Sequence, residues 1–342
     1  MKEQLHMSEI SAAPIGGEAE EIALLGLGRW GGGPVLNTLS KLLSPGLVHG
    51  IARSNRETWS TRQDLPANVR IHGQEFYETG VLDNPRIKAV IIATQFSSHY
   101  ELARKALLAG KDVLLEKPFT RTVQEAEDLE KIAREHGRLL AVGHEFMHDP
   151  KIQRLGQAIA RRCLGVVSCA EFNMLNPLMG RKLDTSSNVL QDLATHVLSM
   201  IRALFGPADI EHLKVDMSPS GERARIDCLY RQIEMSIVVD RDYQVPERKR
   251  TITVKGDKLM VTLDYQKGTF AVEGGAANGA EQGEGLSAEL AGNSDDRTTL
   301  EIELSDFLDA CRGRRTVIND AEVGIWVTRC LAQIQKQAAF DG

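Results

Sequence analysis

A lysine at the end of one buried strand and an acid–histidine pair on one helix are the residues of this chain best placed to do chemistry. Val113-Leu114-Leu115 is a short apolar run that reads as a buried strand; Glu116 and Lys117 close it and Pro118 stops it. Open α/β sheets bind their ligands at the carboxyl ends of strands. The Lys117 ammonium would therefore stand where charge on a reacting oxygen could be stabilised. Asp192 and His196 lie four residues apart in a segment running from Val189 to Phe205 and ending at Gly206-Pro207. Its apolar stripe, Val189, Leu190, Leu193, Val197, Ile201 and Leu204, has helical spacing, and the pair falls on one line beside that stripe. If exposed, such a pair contributes under ~1 kcal/mol and does nothing further. If it faces a site, Asp192 sets the tautomer and basicity of a histidine that can take or give a proton near neutral pH.

These groups need a framework, and the first half of the chain supplies one. Glu21 to Leu25 is a short apolar run followed by Gly26-Leu27-Gly28-Arg29-Trp30-Gly31 and a helix expected over Pro34 to Leu43. In this strand–turn–helix setting Gly26 permits the turn, Gly28 lets a pyrophosphate approach the backbone, and Gly31 lets helix and strand pack closely. The phosphates would meet the unpaired N–H groups at the helix start. A second strand, Leu47 to Ala52, leads to Arg53-Ser54-Asn55-Arg56 with no acid in the stretch. An NAD-type site places Asp or Glu there, whereas Arg53 suits a 2′-phosphate, so NADP is expected over NAD. Alternation continues through a strand at Arg86–Ala93, a helix at His99–Ala109, the Lys117 strand, a helix at Thr122–His136 and a strand at Leu139–Val142. Strands alternating with helices imply a parallel sheet with right-handed crossovers, a Rossmann domain over residues 21–145.

Past Leu164-Gly165 the pattern changes to strands: Val166–Asn173, Ile210–Val215, Arg223–Tyr230, Ile233–Val239, Arg250–Lys255 and Lys258–Asp264. Short turns such as Lys255-Gly256-Asp257-Lys258 predict a largely antiparallel sheet in a second, α/β domain over residues 146–342. Ala271–Asp296, rich in Gly, Ala and Glu, reads as a surface loop, and Leu300–Cys311 and Ala321–Ala339 as helices. Residues 1–20 read as a mobile polar tail. His144-Glu145-Phe146-Met147-His148 spells H-E-x-x-H, but Asp149-Pro150 starts a helix only after it. A zinc site needs both histidines on one helical face, so no metal is expected.

With 342 residues, 42% hydrophobic and 26% charged, two soluble globular domains are expected. A net charge of −6 offers no basic surface for nucleic acid, and no apolar run is long enough to span a membrane. Five scattered cysteines without C-x-x-C fit reduced thiols in the cytoplasm.

The motifs together resemble the glucose–fructose oxidoreductase/inositol dehydrogenase (Gfo/Idh/MocA) family. They are Gly26-x-Gly28-x-x-Gly31 with Trp30, Ala93-Thr94 followed by His99, Ala109-Gly110-Lys111-Asp112-Val113 leading to Glu116-Lys117-Pro118, Asp192-x-x-x-His196, Val254-Lys255-Gly256, and Phe307-Leu308-Asp309-Ala310. The resemblance runs from about residue 21 nearly to the end. It implies catalytic roles for Lys117, Asp192 and His196. Cofactor contacts are expected from Gly26, Gly28, Arg29, Trp30, Gly31, Arg53, Ser54, Thr94, Gln95, His99, Glu116 and Lys117, and a substrate contact from His144. It implies NADP-dependent oxidation or reduction of a sugar, polyol or related small molecule by a homodimer or homotetramer. A cofactor-binding regulator, and a hydrolase or epimerase working through transient oxidation, are the other readings that the motifs allow. The chain departs from the family at Met147, at Ser186-Ser187-Asn188 and at Met200, positions that the resemblance implies border the substrate.

Overall fold

Six short strands, β1 (Glu21–Leu25), β2 (Leu47–Ala52), β3 (Val69–Gly73), β4 (Ile87–Ile92), β5 (Asp112–Glu116) and β6 (Leu140–Gly143), pair in parallel in the order β3-β2-β1-β4-β5-β6. The computed structural model describes residues 20–177, 187–274, 279–292 and 295–341. The sequence-expected tail lies outside these except for Glu20, which pairs with Arg312. β1 and β5 are buried along their whole length, which is why they read as unbroken apolar runs. On one face of the sheet pack α3 (His99–Leu108) and α4 (Val123–Glu135); on the other lies α1 (Leu36–Leu42), while α2 (Arg56–Ser60) contributes Trp59. Strand order reverses between β1 and β4, so their carboxyl ends diverge and leave the crevice where such sheets take ligands.

Asp149 caps the next helix, α5 (Pro150–Ala160), by accepting from Lys151 N at 2.8 Å, as the Asp-Pro pair predicts. The second sheet has seven strands: β7 (Val167–Pro177), β8 (Ile210–Met217), β9 (Arg223–Tyr230), β10 (Ile233–Tyr243), β11 (Lys249–Gly256), β12 (Leu259–Asp264) and β13 (Thr269–Gly274). Their order is β13-β12-β11-β7-β10-β9-β8, antiparallel throughout except for the central β7–β10 pair. α5 and α6 (Thr195–Phe205) cover one face. Much of the segment expected as a loop is ordered instead: β13 extends the sheet, and α7 (Gly279–Ala291) buries Leu286 and Leu290 in the same core.

α8 (Thr299–Cys311) and α9 (Ala321–Asp341) return toward the first sheet. Leu300, Leu304, Phe307 and Leu308 of α8 complete the apolar layer beneath α1. Asn319 binds the edge strand β6 twice, accepting from Val142 N at 2.8 Å and donating to Val142 O at 2.7 Å. α9 then packs against β8 of the second sheet and against α4 and β6 of the first, and so joins the two. All five cysteines are free thiols. No helix among the described residues is long and apolar enough to cross a membrane.

Candidate active site

The glycine loop leaves β1 through Gly26, whose φ of +95° suits glycine; a Cβ there would lie 2.4 Å from Ala93 O. A Cβ on Gly31 would strike Gly26 O at 2.1 Å, whereas one on Gly28 would meet nothing within 4 Å. The loop is therefore closed against β4 at two glycines and open in front of the middle one, the shape a pyrophosphate requires. Leu27 O anchors it, accepting from Asn55 Nδ2 and Trp59 Nε1, each at 2.9 Å. The helix beyond begins as a π-helical turn, Gly31–Val35, before α1. These residues fit a bound dinucleotide. Arg53 and Ser54 are exposed just past the end of β2, and Arg29 is exposed on the loop.

At the end of β5 the loop meets the strand. Trp30 Nε1 donates to Glu116 Oε1 at 2.5 Å, and Glu116 Oε2 accepts from Lys117 N at 3.3 Å. Burial pushes the Glu116 carboxyl up to about 7, with the Trp30 bond and the Lys117 charge opposing it. Lys117 Nζ donates to Asp192 O at 2.9 Å and to Asp192 Oδ1 at 3.0 Å. An ammonium group has three hydrogens, so one is left for a ligand. Arg241 stands behind Asp192, 3.9 Å from Oδ2, and is itself paired with Glu222.

Asp192 and His196 do not pair as their spacing predicts. Residues Leu190–Ala194 form a π-helical turn before α6, and its wider winding takes residues four apart out of line. Asp192 turns to Lys117, while His196 Nδ1 is buried without a partner and the ring rests edge-on against Phe146, centroids 5.0 Å apart. Nε2 is the ring nitrogen left open. Burial first, then the charge of Lys117, holds the His196 pKa well below the usual histidine value.

Lys117, Asp192 and His196 converge on one cleft of about 370 Å³, also lined by Trp30, Thr94, Glu116, Phe146, Asn176, Arg250 and Glu303. Two sequence-expected contacts lie elsewhere. His144, 0% exposed, is sealed with both ring nitrogens unpartnered, and burial pushes its pKa down to about 3; it cannot touch a substrate here. His99 is buried as a brace, with Nδ1 2.9 Å from Pro118 O and Nε2 3.2 Å from Thr94 O, tying the turn after β4 to the one after β5. Gln95 is exposed beside it. The H-E-x-x-H stretch spans a single 3-10 turn, Glu145–His148, and His148 Nδ1 lies 3.0 Å from Asp306 Oδ2.

Spacing gave no sign of Arg250 or Asn176. Glu303 had a signal, because it falls on the apolar stripe of α8 between Leu300 and Phe307. It is buried, accepts from Asn319 Nδ2 at 2.9 Å, and is pushed well above the usual carboxylate range by burial and by Glu116 and Glu145.

Residues 21–144 match a family model described as an oxidoreductase family with an NAD-binding Rossmann fold. UDP-N-acetylglucosamine 3-dehydrogenase of Acidithiobacillus ferrooxidans is 28% identical over 257 residues, 73% of this chain and 78% of that protein. The NADP-dependent scyllo-inositol 2-dehydrogenase of Bacillus subtilis is 29% identical over 195 residues, 54% of this chain and 52% of that one. A solved inositol dehydrogenase homologue of Azotobacter vinelandii, complexed with NADH and myo-inositol, superposes with a TM-score of 0.75 at 19% identity, covering 95% of this chain and 97% of its own.

Proposed function

The chain belongs to the Gfo/Idh/MocA oxidoreductases, and from that premise we propose that it is an NADP-dependent dehydrogenase or reductase of a hydroxyl or carbonyl carbon in a sugar, polyol or related small molecule. The observation that carries this reading is the convergence of Lys117 and His196 on one cleft beside the glycine loop. Gly26, Gly28 and Gly31 would hold the pyrophosphate, Arg53 and Ser54 the adenosine ribose, and Trp30, Thr94 and Glu116 line the end where the nicotinamide would lie. Bound there, the nicotinamide supplies or accepts a hydride. His196 Nε2 takes the hydroxyl proton in oxidation and returns it in reduction. Lys117 Nζ gives its third hydrogen to the reacting oxygen, and Asp192 holds that ammonium in place. Asp192 is thus a positioning residue for the lysine.

The test is an assay of purified protein with NADP(H) against sugars, polyols and their oxo forms, following nicotinamide absorbance and product together. Net cofactor turnover with product supports the reading. Cofactor binding with no conversion of any compound would point to a regulator, and conversion without net cofactor change to transient oxidation.

For the cofactor we expect NADPH to bind more tightly than NADH. The exposed Arg53 beyond β2, in a stretch with no acid, supports this. A charge-assisted bond to the 2′-phosphate is worth roughly 1.5–3 kcal/mol, about ten- to a hundred-fold in affinity. Arg53→Ala should abolish most of that preference; equal titration of both cofactors by the wild-type protein would refute it.

Turnover should survive exhaustive chelation, since His144 and His148 share no helical face and His148 is engaged by Asp306. Elemental analysis finding stoichiometric zinc that is lost in His144→Ala would reverse this. The outer face of the second sheet, where Asn173 Nδ2 donates to Thr251 Oγ1 at 3.3 Å and Thr253 meets Thr262 at 3.1 Å, offers a polar surface for a homodimer or homotetramer. The free thiols support a reducing compartment, the cytoplasm.

A further inference from the structure

Arg250 enters the same cleft from the second sheet, and its charge is not accounted for there. It lies near the start of β11, opposite Met174 of β7, with its guanidinium 5.3 Å from the centre of the Phe146 ring. Its one side-chain hydrogen bond among the described residues, Nη2 to Asn176 Oδ1, is 3.4 Å long, at the weak end of the range. Nε is buried with no partner. Every other cation around the cleft has a carboxylate: Lys117 has Asp192 at 3.0 Å, and Arg241 has Glu222. Arg250 has none within 4.0 Å among the described residues. Glu145 also lines the cleft but spends its Oε2 on Thr299 at 3.2 Å, and burial pushes it toward its neutral form.

A guanidinium carries five N–H donors in a planar fork and stays charged at any working pH. Here it is stacked on an aromatic ring, partly desolvated, open to a cleft, and among the described residues has all but one donor uncommitted. Hydroxyls can accept from such a fork, but a carboxylate or phosphate can take two of its hydrogens at once, in bonds roughly twice as strong as neutral ones.

We propose that Arg250 is a specificity-determining residue that binds an oxyanion, carboxylate or phosphate, carried by the substrate. The substrate class is then an acidic derivative of a sugar or polyol. This rests on the oxidoreductase reading of the cleft and adds to it the group by which the substrate would be chosen.

The experiment titrates NADP-loaded protein, by ligand-observed NMR and calorimetry, with matched compounds: glucose, glucuronate and glucose 6-phosphate, then sorbitol, gluconate and sorbitol 6-phosphate. At least one acidic class should bind about ten- to a hundred-fold more tightly than its neutral partner. The carboxylate and phosphate arms decide which oxyanion is used. The preference should vanish in Arg250→Met and return in part in Arg250→Lys, with NADPH affinity unchanged in both as the check on folding. Equal binding of acidic and neutral members, no binding by any acid, or a preference that survives in Arg250→Met overturns the proposal. Turnover is measured separately on the same samples. Arg250-dependent anion binding with no hydride transfer would leave the anion site standing and defeat the oxidoreductase reading. Turnover of neutral sugars indifferent to Arg250 would do the reverse.

Discussion

Lys117→Ala should lower kcat by about 10²–10³-fold, the usual cost of removing one preorganised donor from a developing oxyanion. The ammonium is fixed before any ligand arrives, because two of its hydrogens are committed to Asp192 and the side chain is mostly shielded from solvent. It therefore has little reorganisation left to do when charge builds on the substrate oxygen. Lys117→Arg should not rescue well, since a planar fork cannot reproduce a point charge on two acceptors of one residue and a third on the substrate. NADPH affinity, followed by fluorescence quenching in the same variant, should change by less than about threefold, because the phosphate and ribose contacts proposed for it are on the glycine loop and beyond β2. A variant that loses NADPH binding in parallel with kcat would make Lys117 a cofactor anchor and defeat its catalytic role. Asp192→Asn should give a smaller drop than Lys117→Ala, since it keeps the backbone acceptor that holds Nζ at 2.9 Å.

The parallel sheet was legible because its strands are short apolar runs separated by helices with 3.6-residue spacing, a pattern only a two-faced sheet explains. β3 escaped notice because Val69-Arg70-Ile71-His72-Gly73 forms one edge of the sheet and mixes polar with apolar side chains. β13 and α7 were hidden by composition: Gly, Ala and Glu read as loop, yet pairing with β12 and burial of Leu286 and Leu290 override local preference. In the site, Lys117 and His196 could be placed because each sits at a defined point of a regular element. The partner of Asp192 could not, because a spacing of four gives one line only in an α-helix, and no residue type announces a π-helical turn. His144 shows the opposite case: its chain position at a strand end is as expected, but whether the ring is exposed is decided by packing between distant segments, and here it is buried. Arg250 illustrates the general limit. One arginine among many in the sequence becomes informative only when no carboxylate of the described residues is found within ion-pairing distance of it, Glu145 of the same cleft being engaged by Thr299.

His196→Ala should cost about 10²–10⁴-fold in turnover, the range for loss of a general acid–base. The pH profile provides the sharper test. In the unliganded protein burial, then Lys117, His144 and Arg250, hold the imidazole pKa well below 6.5, so the ring is neutral across the neutral range. For oxidation the active form is the neutral base. Acidification must therefore protonate Nε2 to stop the reaction, and the fall in kcat/KM assigned to His196 should come below the ordinary histidine range. Glu116 complicates the profile, since its carboxyl titrates at about 7 beside Lys117 and could produce an inflection there. The two are separable. Glu116→Gln should erase an inflection near neutrality and leave the more acidic limb, while His196→Ala should remove the acidic limb and allow partial rescue by added imidazole. A limb at or above the ordinary histidine value that disappears only in His196→Ala would contradict the buried, cation-flanked setting of the ring. Near wild-type turnover in that variant would place the base elsewhere in the cleft. If Lys117 and His196 act on the same O–H bond, the double alanine variant should lose less than the product of the two single losses, because once the proton has no acceptor a stabilised oxyanion has little left to gain.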